Sequence, residues 1–142
     1  MEAAYFESSA LVKLVLREPG SEIAQALWNA ADGVVTSLMS YPEVRAALAA
    51  ARRGRRLTRE RLARAKSAFE DRWRYSRKVQ PTTTIILAAG ELAERFGLTG
   101  YDAVHLASAL ALAEDSIIAV SWDQQFRSAA LRAGLRLAPA VA

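Results

Sequence analysis

Cysteine is absent from this sequence of 142 residues, and histidine occurs only once. The lack of cysteine excludes disulfide bonds and thiolate metal sites, and a single histidine excludes a histidine cluster for zinc. Glycine is also scarce, with 7 residues that are scattered along the chain. The glycine-rich strand-to-helix turn of a P-loop or of a dinucleotide site is therefore missing. Any metal site must consist of oxygen ligands.

Long apolar runs are missing as well. No uninterrupted apolar segment reaches the roughly 20 residues that a membrane span needs. Residues 1–4 lack the basic start and the long apolar stretch of a signal peptide. The apolar fraction of 52% is nevertheless that of a globular protein, and the length suits one domain, 1–142. We expect a cytoplasmic protein that has no membrane partner.

Charge is unevenly distributed along the chain, whose formal net charge is +4. Residues 45–78 contain 13 basic and 3 acidic residues, whereas the remaining chain contains 6 basic and 12 acidic residues. This segment predicts a basic helical hairpin within the domain that faces a polyanion, next to carboxylate-rich flanks. A solvated, arginine-rich hairpin explains the same charges, and charge alone slightly favours this second interpretation.

Short apolar segments alternate with amphipathic helices. Strands are predicted at 3–6, 34–36, near 79, at 117–120 and at 135–137. Helices are predicted at 9–16, 21–32, 40–53, 58–77, 83–97, 102–113 and 124–133, with Ser21, Ser40 and Thr58 as N-caps. This alternation predicts an α/β domain with a central parallel sheet flanked by helices.

Four acidic residues stand at the starts of predicted elements. Glu7 and Asp123 follow strands, and Glu43 and Asp102 lie in the first turns of helices. Ligands of open parallel sheets bind beyond the carboxyl ends of the strands, and carboxylates that meet there need a compensating cation. Oxygen ligands of this kind suit Mg²⁺ or Mn²⁺. Each acid also has an ordinary explanation as a helix N-terminal acid or, for Asp123, as a helix cap.

Four sequence blocks occur in order along the chain. They are Tyr5–Leu14 (YFESSALVKL), Thr36-Ser37 with Glu43-Val44, Gly100–Ala109 (GYDAVHLASA) and Ser121-Trp122-Asp123. Together they resemble the motifs of PIN-domain nucleases, particularly the VapC toxins of VapBC toxin–antitoxin pairs. The resemblance implies a PIN-like three-layer fold and a toxin that hydrolyses RNA phosphodiesters, without a protein nucleophile. It also implies a VapB-type antitoxin as partner and a homodimer.

The resemblance assigns roles to residues of this chain. Glu7, Glu43, Asp102 and Asp123 would be catalytic and would hold one or two Mg²⁺ or Mn²⁺ ions. Ser9 would support Glu7, and Ser121 would orient the approach to Asp123. The basic hairpin would bind the RNA backbone, and the residues expected to do so are Arg52, Arg53, Arg55 and Arg56. The antitoxin is a competing ligand of the same surface.

Glu7 departs from the family pattern, in which the first acid is Asp. One extra methylene pushes a carboxylate roughly 1 Å outward, and misplacement by about 1 Å can lower a rate about a hundredfold. A tolerated natural variant, a weakened nuclease and a deliberate substitution all explain this residue. The alternative function is therefore a catalytically impaired PIN-fold module that sequesters antitoxin or RNA.

Other residues have two interpretations each. His105 lies one helical turn after Asp102, where a general base is conceivable, but a lone histidine in an apolar helix is more often structural. Trp73 and Tyr75 either stack on unpaired bases or pack the hairpin against the core. A phosphate-transferring enzyme with an aspartyl nucleophile needs a second Asp where Ser9 stands, so we set that class aside.

Overall fold

The computed structural model describes residues 2–113 and 116–142, and five strands form its single sheet. The strands are β1 (Ala3–Phe6), β2 (Gly33–Ser37), β3 (Arg77–Val79), β4 (Ile117–Val120) and β5 (Arg136–Ala138). All neighbouring strands run parallel, in the order β3-β2-β1-β4-β5. The predicted α/β fold with a central parallel sheet is confirmed.

Seven α-helices accompany the sheet within the described residues. They are α1 (Ser8–Val15), α2 (Ser21–Ala30), α3 (Ser40–Arg53), α4 (Arg59–Tyr75), α5 (Thr83–Phe96), α6 (Gly100–Leu110) and α7 (Gln124–Arg132). Across the described part of the chain, none of the helices has the length and apolar character needed to cross a membrane.

Two apolar cores cover the two faces of the sheet, because successive residues of β1 point to opposite sides. Phe6 packs on one side with residues of α1, α3 and α4, among them Phe69. Tyr5 packs on the other side with Leu106 of α6 and Phe126 of α7. The sheet is therefore the middle of three layers, and α6 is buried as predicted, from Ala103 through Ala109.

The centre of the sheet contains a topological switch point. From β1 the chain proceeds to β2 on one side, and from β4 it proceeds to β5 on the other. β1 and β4 are adjacent, with Phe6 opposite Val120 at their carboxyl ends. Open α/β sheets bind ligands in the crevice at such a point. Glu7 follows β1 and Ser121 follows β4, so the two residues lie next to each other at this point.

Two of the three predicted N-caps are wrong. The residue that precedes α2 is Gly20, and Ser21 instead accepts a hydrogen bond from the Glu18 N–H within the preceding loop. α3 is preceded by Met39, because the Ser40 hydroxyl lies 2.7 Å from the Thr36 hydroxyl and is not available to the helix backbone. Thr58 does cap α4, where it accepts from the Arg61 N–H.

The predicted strand near residue 79 is also displaced. β3 ends at Val79 rather than beginning there, because Arg77 and Lys78 pair with Val35 and Thr36 of β2. Two basic side chains at an edge strand do not give the apolar signal from which strands are predicted.

Candidate active site

Glu7 follows β1, caps α1 and is fixed by three hydrogen bonds. Its Oε2 accepts from the Ser9 N–H at 3.1 Å, and its Oε1 accepts from the Ser9 hydroxyl at 2.6 Å and the Ser121 hydroxyl at 2.7 Å. Glu7 is only 4% exposed. The extra methylene has not carried the carboxylate into solvent, because these donors and the positive end of α1 hold it back.

Ser9 and Ser121 connect Glu7 to the segment that follows β4. Besides donating to Glu7, the Ser9 hydroxyl accepts from the Trp122 N–H at 2.8 Å. The Ser121 hydroxyl likewise accepts from the Asp123 N–H at 3.0 Å. Each serine thus links the Glu7 carboxylate to the backbone of the segment that contains Asp123.

Asp123 caps α7 through its side chain. Its Oδ1 accepts from the Phe126 N–H at 2.9 Å. The ordinary explanation of this acid as a helix cap therefore holds. It does not exclude a second use, since a carboxylate oxygen that accepts one hydrogen bond keeps a further lone pair.

Asp102 lies in the first turn of α6, where Thr99 is the cap. Desolvation by burial, followed by the negative charges of Asp123 and Glu7, raises the pKa of Asp102 to about 6. The charges of Asp123 and Glu7 therefore act on Asp102, although the three acids come from three different elements. Like charges near a carboxylate disfavour its ionised form.

Glu43, the fourth acid, lies in the first turn of α3 and contacts His105 rather than Glu7. Its Oε1 lies 2.7 Å from His105 Nε2 and accepts from the Ser8 hydroxyl at 2.8 Å. On the other side of the imidazole, Nδ1 lies 2.7 Å from the Tyr5 hydroxyl. This network joins β1, α1, α3 and α6 beneath the acids.

The ionisation of this network follows from its burial and its charges. Desolvation alone would raise the pKa of Glu43, but the hydrogen bond and the charge of His105 and the hydrogen bond of Ser8 lower it overall. Desolvation alone would lower the pKa of His105, but the hydrogen bond to Glu43 and the charges of Glu7, Glu43 and Asp102 raise it. Burial, then Glu7, raises the pKa of Tyr5 well above its ordinary value, so Tyr5 stays a neutral phenol.

His105 is a buried, hydrogen-bonded residue, as expected of a lone histidine in an apolar helix. It is 0% exposed, and both ring nitrogens have protein partners. Those contacts leave no nitrogen for a substrate proton, so the geometry does not favour a general base. Sequence reasoning missed the contacts of Ser8 and Tyr5 with this ring, since residues about 100 positions apart have no spacing signal.

The sequence matches a known family over most of its length. The sequence model of the PIN domain matches residues 4–131. The chain belongs to the PIN-domain family. It is 47% identical over 140 residues to Ribonuclease VapC45 and Ribonuclease VapC49, both of Mycobacterium tuberculosis, covering 99% of this chain and 97% of each relative. The predicted family, and with it a PIN-domain ribonuclease of the hydrolase class, is confirmed.

Solved structures give the same fold. Mycobacterium tuberculosis VapC20, described as a sarcin-ricin loop cleaving toxin, aligns with a TM-score of 0.68 and 21% identity, over 93% of this chain and 95% of that one. PAE2754 from Pyrobaculum aerophilum aligns with a TM-score of 0.67 and 17% identity, over 96% and 83%. At these identities the likeness establishes the fold, which is the PIN fold with a central parallel sheet.

PIN domains are associated with divalent metals, and the donor chemistry of this site fits such an ion. Its acids are oxygen donors, and the pKa of Asp102 is raised by burial and then by the charges of Asp123 and Glu7, which a cation would compensate. Among residues 2–113 and 116–142, no group of three or more acidic, histidine or cysteine side chains is arranged so that it could hold a metal ion. Mg²⁺ does not need one, because it usually keeps several waters and takes one or two carboxylates plus substrate phosphates.

The predicted RNA-binding arginines lie at the other end of α3 from Glu43. They occupy the end of α3 and the turn that leads to α4, and they are Arg52, Arg53, Arg55 and Arg56. Arg52, the first of them, lies nine positions after Glu43, which is about 14 Å along the helix axis. All but Arg52 are well exposed to solvent. The basic turn is therefore a surface separate from the acids of this PIN domain.

The hairpin aromatics differ from each other in exposure. Trp73 packs against Tyr41 and Phe69, with ring centroids 5.2 and 5.9 Å away, which supports its interpretation as a packing residue. Tyr75 is 62% exposed, although its ring lies 5.5 Å from that of Trp28. Of these two side chains, Tyr75 has the larger surface available for stacking on a base.

Proposed function

We propose that this PIN-domain protein is the toxin of a type II toxin–antitoxin pair and hydrolyses RNA phosphodiesters with Mg²⁺ or Mn²⁺. The observation that carries the proposal is the hydrogen-bonded connection at the switch point, where the Ser121 hydroxyl donates to Glu7 and the Ser9 hydroxyl accepts from the Trp122 N–H, next to Asp123. The charges of Asp123 and Glu7 also act on Asp102, whose pKa is raised to about 6 by burial first and then by these charges. Carboxylates from three elements would not be collected at a switch point for stability, because their repulsion opposes folding. Binding of a cation and of an RNA phosphate would explain this arrangement. We expect the reaction to take place in the cytoplasm.

Each acid has a role in this proposal. Asp102 and Glu7 would hold one or two ions, with Glu43 and Asp123 as further ligands, directly or through water. The ion, when bound, would activate a water molecule and neutralise charge on the scissile phosphate. Ser9 and Ser121 keep Glu7 in one orientation by donating to its Oε1. Preorganisation of this kind matters because small misplacements of catalytic groups lower rates strongly.

RNA cleavage tests the proposal. Purified protein is incubated with total bacterial RNA and Mg²⁺, Mn²⁺ or a chelator, next to the variants Asp102→Asn and Glu94→Gln. The second variant removes a charge from the exposed side of α5 and serves as the matched control. We expect ion-dependent cleavage by the parent and the control, and none by Asp102→Asn. Undiminished cleavage by Asp102→Asn, with its folding verified by circular dichroism, would rule the proposal out.

An antitoxin is the expected protein partner. Structures of toxin–antitoxin complexes, including VapBC2 from Rickettsia felis and a complex from Klebsiella pneumoniae, share this fold. Here a groove of about 510 Å³ runs between the end of α1 and α4. Arginines and leucines line it together, among them Arg17, Arg56, Arg61, Arg64, Leu14 and Leu57. An antitoxin that binds this groove would therefore need an acidic segment with apolar side chains.

A homodimer is proposed as well. Ile86 and Leu87 of α5 are 45% and 68% exposed, and Tyr101 of α6 is 58% exposed. Apolar side chains on one exposed helical face are typical of association surfaces. Sedimentation analysis of the parent and of Leu87→Glu measures this directly: the parent should sediment as a dimer and the variant as a monomer.

The second candidate function is a binding module with an impaired site. It is favoured by the three hydrogen bonds that already occupy the Glu7 carboxylate, because an ion would compete with them. Cleavage by the parent and by Glu7→Asp separates the two functions. If the parent is impaired, Glu7→Asp should gain about a hundredfold in rate, the effect of a displacement of about 1 Å. Equal rates would identify Glu7 as a tolerated variant.

A further inference from the structure

We propose that His105 is a positioning residue for Glu43, held in place by Tyr5, and that this buried chain of hydrogen bonds aims one Glu43 oxygen at the ion. The inference rests on the proposed nuclease function and assigns a task to residues that do not themselves touch RNA. Tyr5, Ser8 and His105 are all buried, with Tyr5 and His105 at 0% exposure. Buried polar groups of this kind are retained when their hydrogen bonds have a use.

The proton positions follow from the distances. Nε2 of His105 and Oε1 of Glu43 are 2.7 Å apart, and such a contact requires a proton between them. We assign the proton to Nε2, because an ionised carboxylate only accepts hydrogen bonds and Glu43 Oε1 also accepts from the Ser8 hydroxyl. When the ring is neutral, Nδ1 is then an acceptor, and the Tyr5 hydroxyl at 2.7 Å donates to it. Tyr5 thus selects the tautomer that can hold Glu43.

Both donors to Glu43 meet at the same oxygen. The Ser8 hydroxyl donates to Oε1 at 2.8 Å, and it lies 3.1 Å from His105 Nε2 as well. Two donors at Oε1 fix the plane of the carboxylate and leave Oε2 for another ligand. The Glu43 side chain is 26% exposed, so part of it remains accessible to solvent and to an ion.

Such anchoring matters for a glutamate in particular. A free Glu side chain has several rotatable bonds, and fixing them upon ion binding carries an entropic penalty. Partners behind a metal ligand remove this penalty in advance, and their loss typically lowers affinity or activity about 10–100-fold. His105 therefore acts through Glu43, whereas a mere packing residue would act only through stability.

Two substitutions of His105 separate the two edges of the ring. In His105→Gln the side-chain amide reaches the former place of Nε2 and keeps a donor for Glu43. In His105→Asn the amide reaches only the place of Nδ1, so the contact with Tyr5 remains and the contact with Glu43 is lost. Both variants bury an amide in place of an imidazole, so comparable free energies of unfolding are expected. Chemical denaturation checks this.

The expected result is a difference between these variants in kcat and in Mn²⁺ affinity. His105→Asn should lose about 10–100-fold in kcat and in Mn²⁺ affinity measured by calorimetry. His105→Gln should have a kcat and a Mn²⁺ affinity about tenfold higher than those of His105→Asn. KM for RNA should stay nearly constant, because a buried ring does not contact the substrate. Equal values for the two variants would overturn the inference.

Nitrogen NMR gives a readout that does not depend on activity. His105 is the only histidine, so histidine-labelled protein has a single imidazole. Nε2 should have the chemical shift of a protonated nitrogen in neutral and mildly alkaline buffer, and Mn²⁺ should broaden this signal in the parent. Tyr5→Phe should shift Nδ1 and lower kcat. An unprotonated Nε2, or Tyr5→Phe with an unchanged spectrum and rate, would refute the assignment.

The design separates two kinds of failure. If the parent neither cleaves RNA nor binds Mn²⁺, the proposed function fails, whatever the His105 variants do. If the parent is active but His105→Gln and His105→Asn behave alike, only the positioning role fails. Should both variants unfold, Ser8→Ala removes the other donor to Oε1 with little change in volume, and its kcat and Mn²⁺ affinity should fall. Parental values in Ser8→Ala would then overturn the inference.

Discussion

Replacing Asp102 by Asn should stabilise the folded protein while it removes activity. The raised pKa means that folding is opposed by the charge on Asp102, which burial and the neighbouring acids Asp123 and Glu7 disfavour. Asparagine has nearly the same shape without the charge. The substitution therefore removes a repulsion that the proposed function needs and that the fold does not.

The magnitude follows from the shift from 3.8 to about 6. One pKa unit corresponds to about 1.4 kcal/mol, but Asp102 is partly exposed and solvent screening weakens its interactions. We therefore expect a gain of about 1 kcal/mol, or roughly 3 °C in melting temperature for a chain of this size.

The effect of Asp102 on the free energy of unfolding depends on pH. The folded pKa is raised, so the favourable contribution of protonated Asp102 is fully present below 3.8 and is lost as the pH rises through about 6. The advantage of Asp102→Asn should therefore grow between pH 4 and pH 6 and remain constant above, as about 1 kcal/mol over its value at pH 4.

Urea denaturation of the parent, Asp102→Asn and Glu94→Gln across this range measures the effect. Comparison across pH removes any constant offset that the amide itself introduces. The Glu94 control should not show the rise. An advantage of Asp102→Asn that is the same at pH 4 and pH 8, or a more stable parent at pH 8, would refute the reasoning.

Two further predictions concern the supports of the site and its basic surface. Ser121→Ala should lower the free energy of unfolding by about 1–3 kcal/mol, because the buried Glu7 carboxylate and the Asp123 N–H lose a partner. Ser128→Ala, at an exposed position, is the control. Equal melting temperatures of the two variants would contradict the supporting role of Ser121. Arg53→Gln with Arg56→Gln should weaken RNA binding and reduce the slope of log affinity against log salt by about 0.7 per lost phosphate contact. Fluorescence anisotropy at several salt concentrations checks this, and an unchanged slope would assign the basic turn to another ligand.

Local patterns predicted most of the fold. β4 was predicted with its observed bounds, because an apolar run covered on both faces is a strong strand signal. The caps at Ser21 and Ser40 were mispredicted, because each hydroxyl bonds to a nearby group that precedes its helix, the Glu18 N–H for Ser21 and the Thr36 hydroxyl for Ser40. β3 was displaced, because backbone pairing with β2 overrides its basic composition.

The site was predictable in part. Acids after β1 and β4 follow from the rule for parallel sheets, and the supporting serines came from the family resemblance. The hydrogen bond between His105 and Glu43 was not predictable, because the two residues are 62 positions apart and no local motif contains both. Nor did the sequence indicate that Glu7 would fold back onto Ser9 and Ser121, since hydroxyl donors from two elements determine its orientation.

Calorimetric titration with Mn²⁺ at neutral pH, without RNA, tests most directly whether the four carboxylates form one ion site. The parent should bind one or two ions, and Asp102→Asn should lose that binding while staying folded. A parent that binds no ion, or an Asp102→Asn variant that binds as tightly as the parent, would contradict the account.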